Sequence, residues 1–152
     1  MEVEYSLLFE TCKYYMGKCQ ISLGVVNDQF SQIRTLNSTE EPASFVQLIN
    51  TYLVDVETIL SELTSKSDLP NADYSKLVVL VHKLNEISLS IGTELVKHAC
   101  ADLIQACDQK NEQRFSQALG WMKHEFSFTK EKLETYTKME QRILRVKNKQ
   151  QN

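Results

Sequence analysis

Glycine and proline are both scarce in this chain, with four and two among 152 residues, so the backbone has few places to turn sharply. No Asn-Gly or Asp-Gly pair marks a tight hairpin, and no stretch sustains a period of two, which removes the usual signatures of a sheet. No apolar run approaches the ~20 residues that cross a bilayer. The N-terminus "MEVEYSLLFE" opens with acids where a secretory signal carries bases, so the protein is expected inside the cell. Dense basic clusters are missing outside the last turns: seventeen Lys and Arg stand against twenty Asp and Glu, a net charge of −3. Nucleic acid is therefore not expected as a partner, because neutralising phosphates needs Lys and Arg gathered on one surface. Phosphate loops of the form G-x-G-x-x-G or G-x-x-x-x-G-K are absent too. The four cysteines, Cys12, Cys19, Cys100 and Cys107, make no C-x-x-C clamp. Each pair is spaced i, i+7 on one helix face, which reads as small buried thiols rather than metal ligands or disulfides.

What is present is helical spacing. In "SFVQLINTYLVDVETILSEL" the residues Phe45, Ile49, Tyr52, Val56, Ile59 and Leu63 step by four and three. Phe115, Leu119, Met122, Phe126, Leu133, Tyr136 and Ile143 do the same near the end, with one gap. Gly24 and Asn27, Pro42, Pro70, Gly92 and "DQKNEQ" punctuate the chain. They delimit helices at about 4–21, 28–36, 43–65, 72–89, 93–108 and 111–146. The fold expected over 1–152 is a single all-α domain, an antiparallel up-down four-helix bundle with two additional N-terminal helices. Trp121, Phe115, Phe126, Tyr52, Phe45 and the four cysteines are expected in its core. The basic end "RILRVKNKQQN" is read as complementing the helix macrodipole rather than as a membrane contact.

One residue of the predicted fourth helix does not fit a packing role. Leu77, Val81, Leu84, Ser88 and Ile91 form its inward stripe, and His82 belongs to a second stripe about 100° round the helix. Val78, Leu89 and Asn85 or Glu86 share that flank. An outward imidazole among apolar neighbours suits reversible chemistry at a histidine nitrogen, although isolated surface histidines commonly do nothing. His98 and His124 have no nearby Ser, Asp or Cys arrangement and are read as structural.

The segment "VHKLNEISLSIG", Val81 to Gly92, resembles the core motif of the plant histidine-containing phosphotransfer (HPt) proteins, approximately V-H-Q-L-K-G-S-S-S-S-I-G. Val81, His82, Leu84, Ser88, Ser90, Ile91 and Gly92 agree. The likeness continues in "LGVVNDQFSQIRTL", "FVQLINTYLVDVETILSEL", "VKHAC" and "KHEFSFTKEKLETYTKMEQ", and so covers nearly the whole chain. The resemblance implies a phosphocarrier rather than a stand-alone enzyme. Its histidine, here His82, takes a phosphoryl group from a receiver-domain aspartate of a hybrid histidine kinase and passes it to the receiver of a response regulator. Such a relay commonly serves cytokinin signalling, in a monomer that works between cytoplasm and nucleus. The receiver supplies the magnesium ion, and the chain needs no metal or cofactor of its own. Lys83, Asn85, Glu86 and Ser88 would form the phosphate environment. Val78, Leu89, Asp28, Gln29 and Gln32 would dock the receiver.

Two departures sit beside the acceptor. The family typically has Lys where this chain has Asn85, and Gly where it has Glu86; basic residues often found further on are replaced by Leu95 and Ile104, while Lys97 matches a family lysine. A lost cation and an added anion near a phosphoryl group disfavour phosphohistidine by about 1–4 kcal/mol. The second reading is thus a pseudo-HPt protein, which docks receivers and inhibits the relay with little or no phosphotransfer.

Overall fold

The computed structural model describes Val26, Gln29, Phe30 and residues 42–151. Among the described residues, four long helices carry the fold: α1 (Pro42–Ser67), α2 (Tyr74–Ile91), α3 (Glu94–Gln109) and α4 (Glu112–Gln151). The described residues contain no strand, only an isolated antiparallel bridge between Val26 and Thr93. α1 packs on α2 and α4, and α3 packs on the same two. With short turns between α2, α3 and α4, this is the up-down bundle expected of the apolar stripes. The predicted helices 4–21 and most of 28–36 lie outside the described residues; Gln29 and Phe30 are helical. None of the described helices is long and apolar enough to cross a membrane.

The stripes read from the sequence are the core. Phe45, Ile49, Tyr52, Val56, Ile59 and Leu63 of α1 are all buried, as are Phe115, Leu119, Met122, Phe126, Leu133 and Tyr136 of α4. The gap in the α4 stripe is filled by Thr129, fully buried, whose hydroxyl has no hydrogen-bond partner. The side chain of Ile143 lies outside those described. Phe30 meets Phe45 and Tyr136 edge-on, with centroids 5.2 and 5.5 Å away, and so joins the core of the bundle.

Helix ends follow local chemistry. Asp73 caps α2 by accepting the Ser75 amide at 3.1 Å. Gly92 ends it at φ 90°, where a Cβ would be strained, and its amide donates to the Ser88 carbonyl at 2.8 Å. The last helix runs five residues past its predicted end, because no glycine or proline follows to stop it.

Two expectations about burial need comment. Cys100 and Cys107 are buried free thiols, pushed by burial up to about 12 and about 11; Cys12 and Cys19 lie outside the described residues. Trp121 is not in the core. It is 54% exposed, because it sits one residue before Met122 and so about 100° off the buried stripe. Its indole stacks instead on the His124 ring, 6.2 Å away at 24°.

Candidate functional site

α2 is amphipathic by register. Leu77, Val81, Leu84, Ser88 and Ile91 are buried, so each residue one position later is turned toward the flank. Along that flank Val78 and Asn85 are half-buried, while His82 and Leu89 are exposed; Lys83 and Glu86 are exposed further round. Among the described residues, no hydrogen bond or ion pair holds the His82 ring or the Glu86 carboxylate. The imidazole therefore stands out from a helix whose opposite side is fully locked into the core. A neutral imidazole so placed has a nitrogen lone pair open to an incoming electrophile.

The immediate neighbours are Asn85 at i+3 and Glu86 at i+4, both within side-chain reach on a helix. Asn85 offers a hydrogen-bond donor without charge, and Glu86 offers an anion. Lys83 follows His82 directly, and side chains at i, i+1 diverge. Lys97 lies on α3, half-buried, 3.9 Å from the Glu94 carboxylate. Leu95 and Ile104 pack partly against the core.

Ser88 requires a correction. Its hydroxyl does not enter a phosphate environment at His82: it is fully buried and 2.9 Å from the Tyr52 hydroxyl, which in turn is 2.7 Å from the Thr93 hydroxyl. Six residues along a helix is 600°, so Ser88 points about 120° away from His82. Burial pushes the Tyr52 phenol up to about 12, which keeps its proton in place for that cluster. Tyr52 and Thr93 were not singled out as site residues from sequence; the available signal was a tyrosine and a serine, each on an otherwise apolar stripe. Of the docking candidates on the N-terminal side, Gln29 is exposed and helical, and Asp28 and Gln32 lie outside the described residues. No group of acidic, histidine or cysteine side chains among the described residues could hold a metal ion.

With this geometry established, the relatives are informative. No protein-family model matches the chain. It is 32% identical over 121 residues to histidine-containing phosphotransfer protein 1 of Arabidopsis thaliana, covering 80% of this chain and 79% of that one. It is also 28% identical over 123 residues to pseudo histidine-containing phosphotransfer protein 6 of the same plant, covering 80% of each. Among solved structures, a maize histidine-containing phosphotransfer protein superposes with a TM-score of 0.82 at 30% identity, covering 90% of this chain and 99% of that one. The four-helix bundle, the motif around His82 and these relatives agree: the chain belongs to the plant histidine-containing phosphotransfer proteins.

Proposed function

We propose that the chain is a phosphocarrier of a multistep two-component relay and that His82 is the acceptor. In the forward step a ring nitrogen of His82 attacks the phosphorus of a receiver's aspartyl phosphate. The P–N bond forms as the acyl-phosphate P–O bond breaks, and the aspartate leaves as a carboxylate. The reverse chemistry, on a second receiver, returns the group to an aspartate. The receiver brings the magnesium ion that offsets charge on the transferring group. This chain's part is positioning: a rigid bundle holds the imidazole outward, between Val78 and Leu89, for a receiver to grip. The observation that carries the reading is the exposed, unheld His82 ring on a helix locked by its opposite face. Family resemblance supports a cytokinin-type pathway, a monomer, and work in both cytoplasm and nucleus.

A second reading, a pseudo-HPt protein that occupies receivers and inhibits the relay, is favoured by one specific observation. Glu86 puts an exposed carboxylate with no ion pair among the described residues one turn from the acceptor.

The two separate in one experiment. A radiolabelled phosphorylated receiver is incubated with the purified chain, and acid-labile label is expected on wild type and absent from His82→Gln, whose helical content should be unchanged. Tight receiver binding with no label on wild type would favour the inhibitor; label persisting on His82→Gln would put the acceptor elsewhere.

A further inference from the structure

Three hydroxyls meet inside the bundle at the C-terminal end of α2. The phenol of Tyr52, on α1, is 2.9 Å from the hydroxyl of Ser88, on α2, and 2.7 Å from that of Thr93, just past the Gly92 turn. The Gly92 and Thr93 amides both donate to the Ser88 carbonyl, at 2.8 and 3.1 Å. Thr93 also forms the backbone bridge to Val26. One oxygen on α1 therefore ties the end of the His82 helix to the turn behind it, at the residue whose backbone bridges to Val26.

Net stability is a poor reason for such a cluster, because each internal hydrogen bond replaces one to water and adds little. Register is a better one. Close packing of Leu, Val and Ile sets the register coarsely, but apolar burial itself has no preferred direction along the helix axis. A hydrogen bond has a narrow distance optimum and resists a small slide along that axis. Ser88 lies six residues beyond His82, about 9 Å along the same rigid helix at 1.5 Å per residue, so whatever fixes Ser88 axially also fixes the height of the imidazole.

We propose that Tyr52 is a positioning residue for phosphoryl exchange: through Ser88 and Thr93 it sets the axial position of α2, and so where His82 meets a docked receiver. The inference rests on the phosphocarrier reading and adds a residue to it that touches neither phosphorus nor receiver.

The test uses Tyr52→Phe, which keeps the ring and removes only the oxygen. Transfer from a phosphorylated receiver to His82 is expected to fall about tenfold, since misplacement by about 1 Å costs up to ~100-fold. Rates are taken at a temperature where circular dichroism shows the variant fully folded. Labelling of His82 by phosphoramidate, a small donor that needs no docking, is expected to stay at the wild-type rate. Ser88→Ala should reproduce the loss, the double variant should add nothing further, and Thr93→Ser should transfer as wild type. If Tyr52→Phe does not fold, Ser88→Ala answers the same question. Wild-type transfer by the folded variant overturns the proposal, and so does a parallel fall in phosphoramidate labelling, which would place the effect in the imidazole or the fold. If wild type itself accepts nothing from receivers, it is the phosphocarrier reading that fails. The positioning claim is then read from receiver affinity: a fall in Tyr52→Phe supports it, and an unchanged affinity overturns it.

Discussion

Replacing Asn85 by Lys together with Glu86 by Gly should accelerate phosphoryl transfer to His82, and the structure limits by how much. Glu86 is exposed and Asn85 half-buried, so a deep-interior dielectric is the wrong scale. Two unit charges ~6 Å apart repel by ~0.7 kcal/mol in bulk water and ~2.8 kcal/mol at an effective dielectric of 20. Measured exposed pairs at i, i+4 come to ~0.3–0.5 kcal/mol. A phosphoryl group carries close to two charges, so removing Glu86 returns about 0.6–1 kcal/mol by the measured scale. A lysine at 85, opposite in charge to Glu86, contributes about as much again in the same direction. The sum, about 1–2 kcal/mol, is the lower half of the range set by sequence alone and corresponds to roughly five- to thirtyfold. The assay is the rate and final extent of labelled phosphoryl transfer from a phosphorylated receiver, at low and at high salt. The gain should shrink as salt rises, because exposed charges are screened within about 10 Å at 0.1 M. Glu86→Ala serves as the control that removes charge without adding a helix-weakening glycine. If the double variant transfers no faster than wild type at low salt, the electrostatic reasoning is wrong.

Three further outcomes follow from the core. Thr129→Val removes a buried hydroxyl that has no partner and should add about 1–2 kcal/mol, or a rise in Tm of about 3–6 °C; a lower Tm would mean that the hydroxyl is satisfied. Phe45→Ala, at a fully packed site, should cost about 3–5 kcal/mol in urea unfolding, while Trp121→Ala should stay within about 0.5 kcal/mol; equal losses would contradict the exposure of the indole. Burial raises the Cys100 thiol from 9.0 to about 12, Cys107 to about 11 and Tyr52 from 10.0 to about 12. Above about pH 9 the unfolded chain then holds fewer protons than the folded one, so stability is level at neutral pH and falls from there toward pH 11–12. A urea midpoint unchanged up to pH 11 would refute this.

Most of the bundle was legible because its information is periodic. Phe45 to Leu63 and Phe115 to Tyr136 carry their own spacing, and His82 faces out because Val81 and Leu84 face in. The departures are single residues off the repeat. Trp121 is large and apolar, which suggests the core, but its phase, one residue short of Met122, places it outside. Thr129 looked like a gap, because nothing in sequence distinguishes a buried threonine from an interruption of the stripe. Ser88 lies on the inward stripe, so its phase already turns it from His82; what the sequence does not carry is its partner, since Tyr52 is 36 positions away, beyond any local pattern.

Glu86 also bears on why a bundle so well kept can carry so altered an acceptor face. The apolar stripes ask only for volume and register, so the fold tolerates low identity. The flank of α2 is under no such constraint, and there stability and chemistry pull in opposite directions. Glycine within a helix is less favourable than glutamate by roughly 0.5–1 kcal/mol, so the family's Gly at this position weakens α2 in exchange for room and neutrality beside the phosphoryl group. Glu86 reverses both terms: it firms the helix and repels the anion by a similar amount. Glu86→Gly alone should therefore lower Tm by about 1–4 °C while raising the transfer rate. If the variant loses stability and gains no transfer, Glu86 is a helix residue with no bearing on phosphate, and the distinction between a working carrier and an inhibitor must lie with Asn85 or with the receiver.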